Sequence, residues 1–394
     1  MKQYSLQRLC YNKIMSVAVV VYDPTINDPL SRVRGVGRYL QILRENFPDW
    51  TFTDNCSLIT HNSTFINPFF SLLKPPLAMK RMAKKQIAVI HDLIPLKYPS
   101  HFPIGLKGSL NVFLNKMVLR NYDAVITDSE HSKKDIVAIL KIKPEKVKVI
   151  YPCLPRIFVN GLTDSPRFVP PSGTSRGERV SELKSRLPDS KFCLYVGDAT
   201  WNKNLVNLAK AVKLANVNCV LVGKVFERAI GGPSGRDPDS AQRSEHWREG
   251  NLGQNLLRAS HAWQKELRDF LYAVHNDKRF HFLGYISDEE LINIYRKAAV
   301  NLLVSRDEGF GFSYVEAAFQ AVPSLLSDIP VFREIAGPAA FYCLPDDPKT
   351  IARQIAAIFS DSTKATAMGQ TAKRRVARMT NSQFTQSLRR LVDS

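Results

Sequence analysis

Residues 301–328, NLLVSRDEGFGFSYVEAAFQAVPSLLSD, leave this chain few folds to choose from. Residues 300–304 are an apolar run of buried-strand length. Arg306, Asp307, Glu308, Gly309 and Gly311 form a charged, glycine-bearing loop. Phe312, Val315, Phe319 and Val322 then recur at helical spacing. Residues 323–326 return to an apolar run. Strand, glycine turn, helix and strand in that order are the unit of a parallel sheet. Where the loop meets the helix, the first N–H groups lack helical partners and the dipole favours an anion such as phosphate. Gly309 and Gly311 let backbone approach a ligand closely. Glu308 stands in the turn. Glu316 lies in the helix; an acid there is usually just solvated, but with a second acid beside a Gly-x-Gly turn it is expected to face back toward the ligand as an acceptor for hydroxyl groups.

The run E-G-F-G-x-x-x-x-E from Glu308 to Glu316, with Pro323 and Ser327-Asp328 downstream, resembles the E-x7-E signature of retaining glycosyltransferases of the GT-B fold. The resemblance is to the large family-4 group that uses nucleotide sugars. It implies that Glu308 contacts the donor sugar near its reacting side and that Glu316 bonds the ribose. It also implies a donor phosphate cradle in the backbone of Gly309, Phe310, Gly311 and Phe312.

A chain of 394 residues exceeds one ordinary core, so two domains are expected. The balance of 55 Lys+Arg against 36 Asp+Glu leaves +19. Such a surface suits nucleic acid, an acidic substrate or an anionic membrane face. No nucleic-acid motif accompanies it, so the last two are favoured. Six cysteines, Cys10, Cys56, Cys153, Cys193, Cys219 and Cys343, occur without CxxC pairs. They read as reduced residues of a cytosolic protein. No segment reaches the roughly 18 apolar residues of a membrane span. The run 15–22 lacks the flanks of a signal peptide. A cytoplasmic location follows as an expectation, with peripheral attachment at the inner membrane face as its extension.

In the first half, residues 1–13 are a polar extension without a clear role. Residues 15–22 read as a strand and 35–46 as a helix opened by Gly35 and Gly37. Leu40 stands where a third dinucleotide-binding glycine would be. A tight packing turn is the plain alternative. The family resemblance places Gly35, Gly37 and the adjacent Arg38 near the donor phosphates. Residues 67–85 are apolar, proline-broken and then basic at Lys80, Arg81, Lys84 and Lys85. Exposed, they suit an anionic membrane or a lipid-linked acceptor, or else they form an ordinary loop. Residues 86–90 are a strand running into HDLIPLKYP. A His-Asp pair at a strand's carboxyl end is where α/β ligands bind. H-D-L-I-P resembles a motif of mannosyltransferase-like members, which implies that His91 contacts the donor sugar and tilts the donor toward GDP-mannose. Asp92, Ser129 and His131 are further candidates. Residues 105–120 read as an amphipathic helix with Leu110, Phe113, Leu114, Met117 and Val118.

Residues 160–179, rich in Pro, Gly and Ser, are the best boundary in the chain. The expected division is 1–165, an acceptor-side Rossmann-like domain; 166–185, a linker; 186–375, the donor domain; and 376–394, a helix returning to the first domain. The fold expected is α/β, with two doubly wound parallel sheets facing across a cleft. In the second half, residues 191–196 lead into GDATWNKNL. The family carries an Arg just after that Gly and a Lys further on. Lys203 keeps the Lys position, Asp198 replaces the Arg, and Asn202 or Asn204 are expected as substitute donors. Residues 224–256 read as an insertion. Asp237-Pro238-Asp239 within it matches a metal-binding D-x-D only formally. Ser287 to Glu290 is a capping box opening a helix. The resemblance puts Tyr285, between Gly284 and Ile286, against the nucleotide base.

The function expected is transfer of a sugar, mannose favoured, from a GDP- or UDP-sugar to a saccharide or lipid-linked acceptor with retained configuration. No metal or organic cofactor is called for, and the product class is envelope polysaccharide. The rival reading is a non-catalytic nucleotide-sugar or carbohydrate-binding protein of the same fold. A phosphorylase lacks a place for its pyridoxal lysine here. A dehydrogenase is disfavoured by the missing glycine and the acidic pair.

Overall fold

The computed structural model describes residues 18–27, 35–160, 185–230 and 262–394. The Pro/Gly-rich boundary, Asp237-Pro238-Asp239 and the polar residues 1–13 lie outside them. Among the described residues, six strands build the first sheet: β1 Val19–Tyr22, β2 Thr51–Thr53, β3 Thr64–Asn67, β4 Lys85–Val89, β5 Ala124–Thr127 and β6 Val147–Val149. Six more build the second: β7 Phe192–Val196, β8 Asn218–Val222, β9 Phe280–Gly284, β10 Val300–Leu303, β11 Ser324–Ser327 and β12 Phe341–Cys343. All pairings are parallel. The orders are β2-β1-β3-β4-β5-β6 and β12-β11-β10-β7-β8-β9. The short apolar runs VVVY, NCVLV and FCLYV make central strands because both faces are covered by helices.

The main helices are α1 Gly35–Asn46, α2 Gly105–Val118, α3 Glu130–Leu140, α4 Leu205–Ala215, α5 Lys265–Ala273, α6 Asp288–Lys297, α7 Phe312–Phe319, α8 Pro330–Ala336, α9 Pro348–Ser360, α10 Ser362–Val376 and α11 Asn381–Asp393. Their starts follow local chemistry. Ser129 accepts from the Ser132 N–H and caps α3. Ser287 and Glu290 close a reciprocal capping box on α6, and Asp347 caps α9 ahead of Pro348. Residues 362–392 read as one helix in the sequence, but the structure divides them into α10 and α11. Thr380 accepts from Gln383 N–H and starts α11 after the chain breaks beyond Val376. Helix α11 then crosses to the first sheet, where Phe384 and Leu388 join Tyr39, Leu43 and Phe47 in its core.

Two further expectations need correction. Strands β2 and β3 fall where no strand was expected. Helix α2 exists, but Leu110, Phe113 and Met117 point to solvent while Asn111 and Asn115 point inward. The five described cysteines are free.

Packing between α10 and the end of α7 is tight at one point. A Cβ on Gly369 would lie 2.0 Å from the Ala321 carbonyl oxygen. Backbone cannot yield there as a side chain can. Gly369→Ala is therefore expected to lose about 2–4 kcal/mol, outweighing the helix preference of alanine. Denaturant unfolding reads this directly, and an equally stable variant would contradict the packing.

Candidate active site

Strands β7 and β10 are neighbours at the point where the second sheet's order reverses. Open parallel sheets gather ligands outside the carboxyl ends of their strands at such a point. The loop after β7 carries Lys203, and the loop after β10 carries Glu308. They meet there, with Lys203 Nζ 2.6 and 2.8 Å from the two Glu308 carboxylate oxygens. Ser305 Oγ donates to the same carboxylate at 2.7 Å. Burial alone would lower the Lys203 ammonium, but Glu308 holds it above its ordinary value. The pair is partly open to solvent, with side chains 24% and 10% exposed.

The Asn residues of this loop do a different task from the one expected of them. Asn204 is fully buried, and its amide donates to the Val304 and Pro345 carbonyls at 2.8 and 2.6 Å. Asn202 donates to the Asp307 carbonyl at 3.1 Å. Both tie loops of the second half together: Asn204 spends both amide hydrogens on carbonyls, and Asn202 spends one of its two. Asp198, at the position where the family signature has Arg, is exposed and bonds the next N–H.

Helix α7 begins at Phe312, capped by Gly311 at φ 103°, a conformation that favours glycine. Phe310 is buried, and Phe312 packs against the cores of both halves. Glu316 is buried one turn into the helix. It accepts from Tyr295 Oη at 2.9 Å and pairs with Arg38 Nε at 3.3 Å. Arg38 comes from α1 of the first half and also donates to Asp288 at 2.6 Å. Burial raises the Glu316 carboxyl above the usual range, with Arg38 opposing. Tyr285 follows β9, half-exposed, in the field of Asp288 and Arg38. Gly35 and Gly37 belong to the first turn of α1 itself, not to a loop before it.

His91 follows β4 on the facing side. Its Nδ1 is 2.6 Å from Asp128 and its Nε2 is 3.0 Å from the Pro68 carbonyl. A carbonyl only accepts, so Nε2 carries a proton, and the carboxylate accepts from Nδ1. Burial lowers the imidazolium, but Asp128 outweighs it and raises His91 above its ordinary value. A raised histidine contributes stability that is whole below its unfolded value, about 6.5, and is lost as pH climbs through the folded value. The melting-temperature deficit of Asp128→Asn is therefore expected to be largest in mild acid and to shrink as pH rises above neutral. A deficit independent of pH would contradict the charged pair.

The two sides touch. Ser129 Oγ donates to the Gly309 carbonyl at 2.7 Å, and a Cβ on Gly309 would meet the His91 carbonyl at 2.7 Å. Beside them, Asp307 pairs with Lys97 at 2.6 Å, Tyr98 Oη at 3.0 Å and His131 Nε2 at 3.3 Å. Burial opposes its charge, but these donors push Asp307 down to about 2. His131, Asp135 and Asp307 are close enough to share a cation, yet the Lys97 ammonium already bonds both acids. Glu334 of α8 accepts from the Glu130 and His131 N–H groups at 2.8 and 3.0 Å.

The structure thus joins Lys203 to Glu308, aligns Glu316 with Arg38, and brings the His91 backbone against Gly309. Sequence reasoning missed Asp128, Lys97, Asp307 and the pairing of Arg38. The signal for Asp128 was its place at the carboxyl end of β5, beside β4.

A family model described as Glycosyl transferases group 1 matches residues 181–375. One described as Glycosyltransferase Family 4 matches residues 10–155. The serotype-specific mannosyltransferase WbdA of Escherichia coli is 24% identical over 274 residues, 68% of this chain and 29% of that protein. This chain therefore spans under a third of that relative's length. The O-antigen chain mannosyltransferase RfbU of Salmonella typhimurium is 26% identical over 271 residues, 68% of this chain and 59% of that protein. Among solved structures, Anabaena HepE in complex with UDP-glucose superposes with TM-score 0.64 at 13% identity, covering 96% of this chain and 100% of that one. Sucrose-phosphate synthase from Thermosynechococcus elongatus gives 0.54 at 20% identity, covering 78% and 67%.

Proposed function

The chain belongs to the family-4-like glycosyltransferases of GT-B fold, and on that premise we propose that it moves a hexosyl group, mannose by preference, from a nucleotide-sugar donor to a saccharide or lipid-linked acceptor with retention of configuration. The observation that carries this reading is the meeting of Lys203, Glu308 and the start of α7 at the switch point of the second sheet, opposite His91. Mannose is favoured by the H-D-L-I-P segment at His91 and by the mannosyltransferase relatives WbdA and RfbU.

The chemical problem is charge. The leaving diphosphate gains negative charge while the sugar becomes cation-like. Donors fixed in advance around that diphosphate lower the barrier most. We assign this to Lys203 and to the backbone N–H groups from Gly309 to Phe312. Lys203 then exchanges Glu308 for phosphate, which frees Glu308 to bond the sugar. Nε2–H of His91 exchanges the Pro68 carbonyl for a sugar oxygen, while Asp128 keeps the ring oriented. Glu316 exchanges Arg38 for the ribose hydroxyls, and the released guanidinium is a second cation for the diphosphate, in place of the Arg that Asp198 replaces. No dedicated general base is assigned; the leaving phosphate assists the acceptor hydroxyl. The ammonium and guanidinium meet the developing charge without a metal.

The test is release of nucleoside diphosphate from GDP-mannose, UDP-glucose and related donors, with NMR of the first-formed sugar. Release from one donor class with the donor's own anomer supports the reading. The opposite anomer overturns retention. Tight donor binding without release supports the non-catalytic alternative, which the Asp198 substitution favours.

A further inference from the structure

Helix α2, Gly105–Val118, is built inside out. Leu106, Leu110, Phe113 and Met117 are 93%, 57%, 60% and 45% exposed. At about 100° per residue they share one arc of about 60°. The opposite side carries Gly108, Asn111, Asn115 and Val118, all buried. Asn111 donates to the Leu73 carbonyl at 2.9 Å and Asn115 to the Lys74 carbonyl at 2.7 Å. Rolling the helix to bury its leucines would strand both amides, so polar bonds fix the apolar stripe outward. Leu77 and Met79, on the segment the helix packs against, are exposed too. A contiguous exposed apolar surface of this kind marks a docking face.

Charge selects the occupant. From residue 68 to 121 the chain carries nine Lys/Arg and a single acid, Asp92. Lys74, Lys80, Lys84, Lys107, Lys116 and Arg120 among them are exposed. Lys107 and Lys116 leave the helix about 90° to either side of the apolar stripe. Apolar residues in a line with cations on both flanks fit a surface that is apolar below and anionic above, with no fixed shape. We propose that this face docks on an anionic phospholipid bilayer, with the α2 stripe sunk to headgroup depth and the lysines on the phosphates. The helix lies in the interface, since no helix among the described residues is long and apolar enough to cross. The inference rests on this surface and is independent of the donor site.

The test is co-sedimentation of the full chain with vesicles of phosphatidylcholine alone and with phosphatidylglycerol added. Binding to the anionic vesicles is expected to be at least about tenfold stronger and to weaken with salt. The double variant Leu110→Ser/Phe113→Ser is expected to bind them at least about tenfold more weakly, with its melting temperature unchanged because both residues are exposed. Lys107→Gln/Lys116→Gln is expected to lose the preference for anionic lipid. Equal, salt-insensitive binding to both vesicles would overturn the proposal, as would no binding or an unaffected double variant. A lipid-free dimer that the double variant abolishes would make the face a contact between copies and overturn it as well.

Discussion

Lys203→Ala is expected to lower kcat for sugar transfer by about 100- to 1000-fold, or about 2.7–4 kcal/mol of transition-state stabilisation. Lys203 is the only cation bonded to Glu308 among the described residues, both oxygens lying within 2.8 Å. Its removal takes away the ammonium assigned to the leaving diphosphate. It also leaves Glu308 nearly buried without a counter-charge. That second loss lowers stability, by less than the roughly 3–5 kcal/mol of a fully buried broken pair because Lys203 is a quarter exposed. The two effects separate in Lys203→Ala/Glu308→Gln, which removes the stranded charge. Stability should largely return in that variant while turnover stays low. If Lys203→Ala, folded, kept its turnover, the phosphate assignment would be wrong.

Gly309→Ala is expected to cut transfer about 100-fold while leaving the fold and nucleotide affinity little changed. The added Cβ would sit 2.7 Å from the His91 carbonyl oxygen and 3.1 Å from Asp92 Cβ. Those atoms belong to the other half of the molecule, so the strain is relieved by holding the halves apart. A displacement of about 1 Å at the reacting centre is enough for a loss of this size. Lys203, Glu316 and the backbone N–H groups from Gly309 to Phe312 lie on the second half and keep their assigned nucleotide contacts; of the assigned diphosphate and ribose groups, Arg38 alone moves away with the first half. Steady-state kinetics beside nucleotide titration reads the difference. A Gly309→Ala enzyme with normal kcat would show that the contact plays no part in turnover.

Much of the second half was readable from residue order. Its strands are short and mostly apolar, and Glu308 and Glu316 flank a glycine turn whose place after a buried strand is plain. The first half was harder. Strands β2 and β3, TFT and TFIN, are short and rich in threonine, so they carry no apolar run. Helix α2 has helical spacing, but spacing does not say which face turns inward. That was decided by Asn111 and Asn115 bonding carbonyls of residues 72–74. Asn204 looked like a free donor because its acceptors, Val304 and Pro345, are remote in the chain. The same holds for Arg38 on Glu316 and Asp128 on His91. Residue types and local spacing place the loops; the partners across the cleft depend on how the two sheets meet.

The central claim is that the second half holds a nucleotide through Glu316. The most direct measurement is a thermal-shift screen with GDP, UDP, ADP and dTDP and their sugars, on the intact protein and on Glu316→Ala. One nucleotide class should raise the melting temperature of the intact protein, and the gain should be lost or reduced in the variant. No shift with any nucleotide on a well-folded protein would contradict the account.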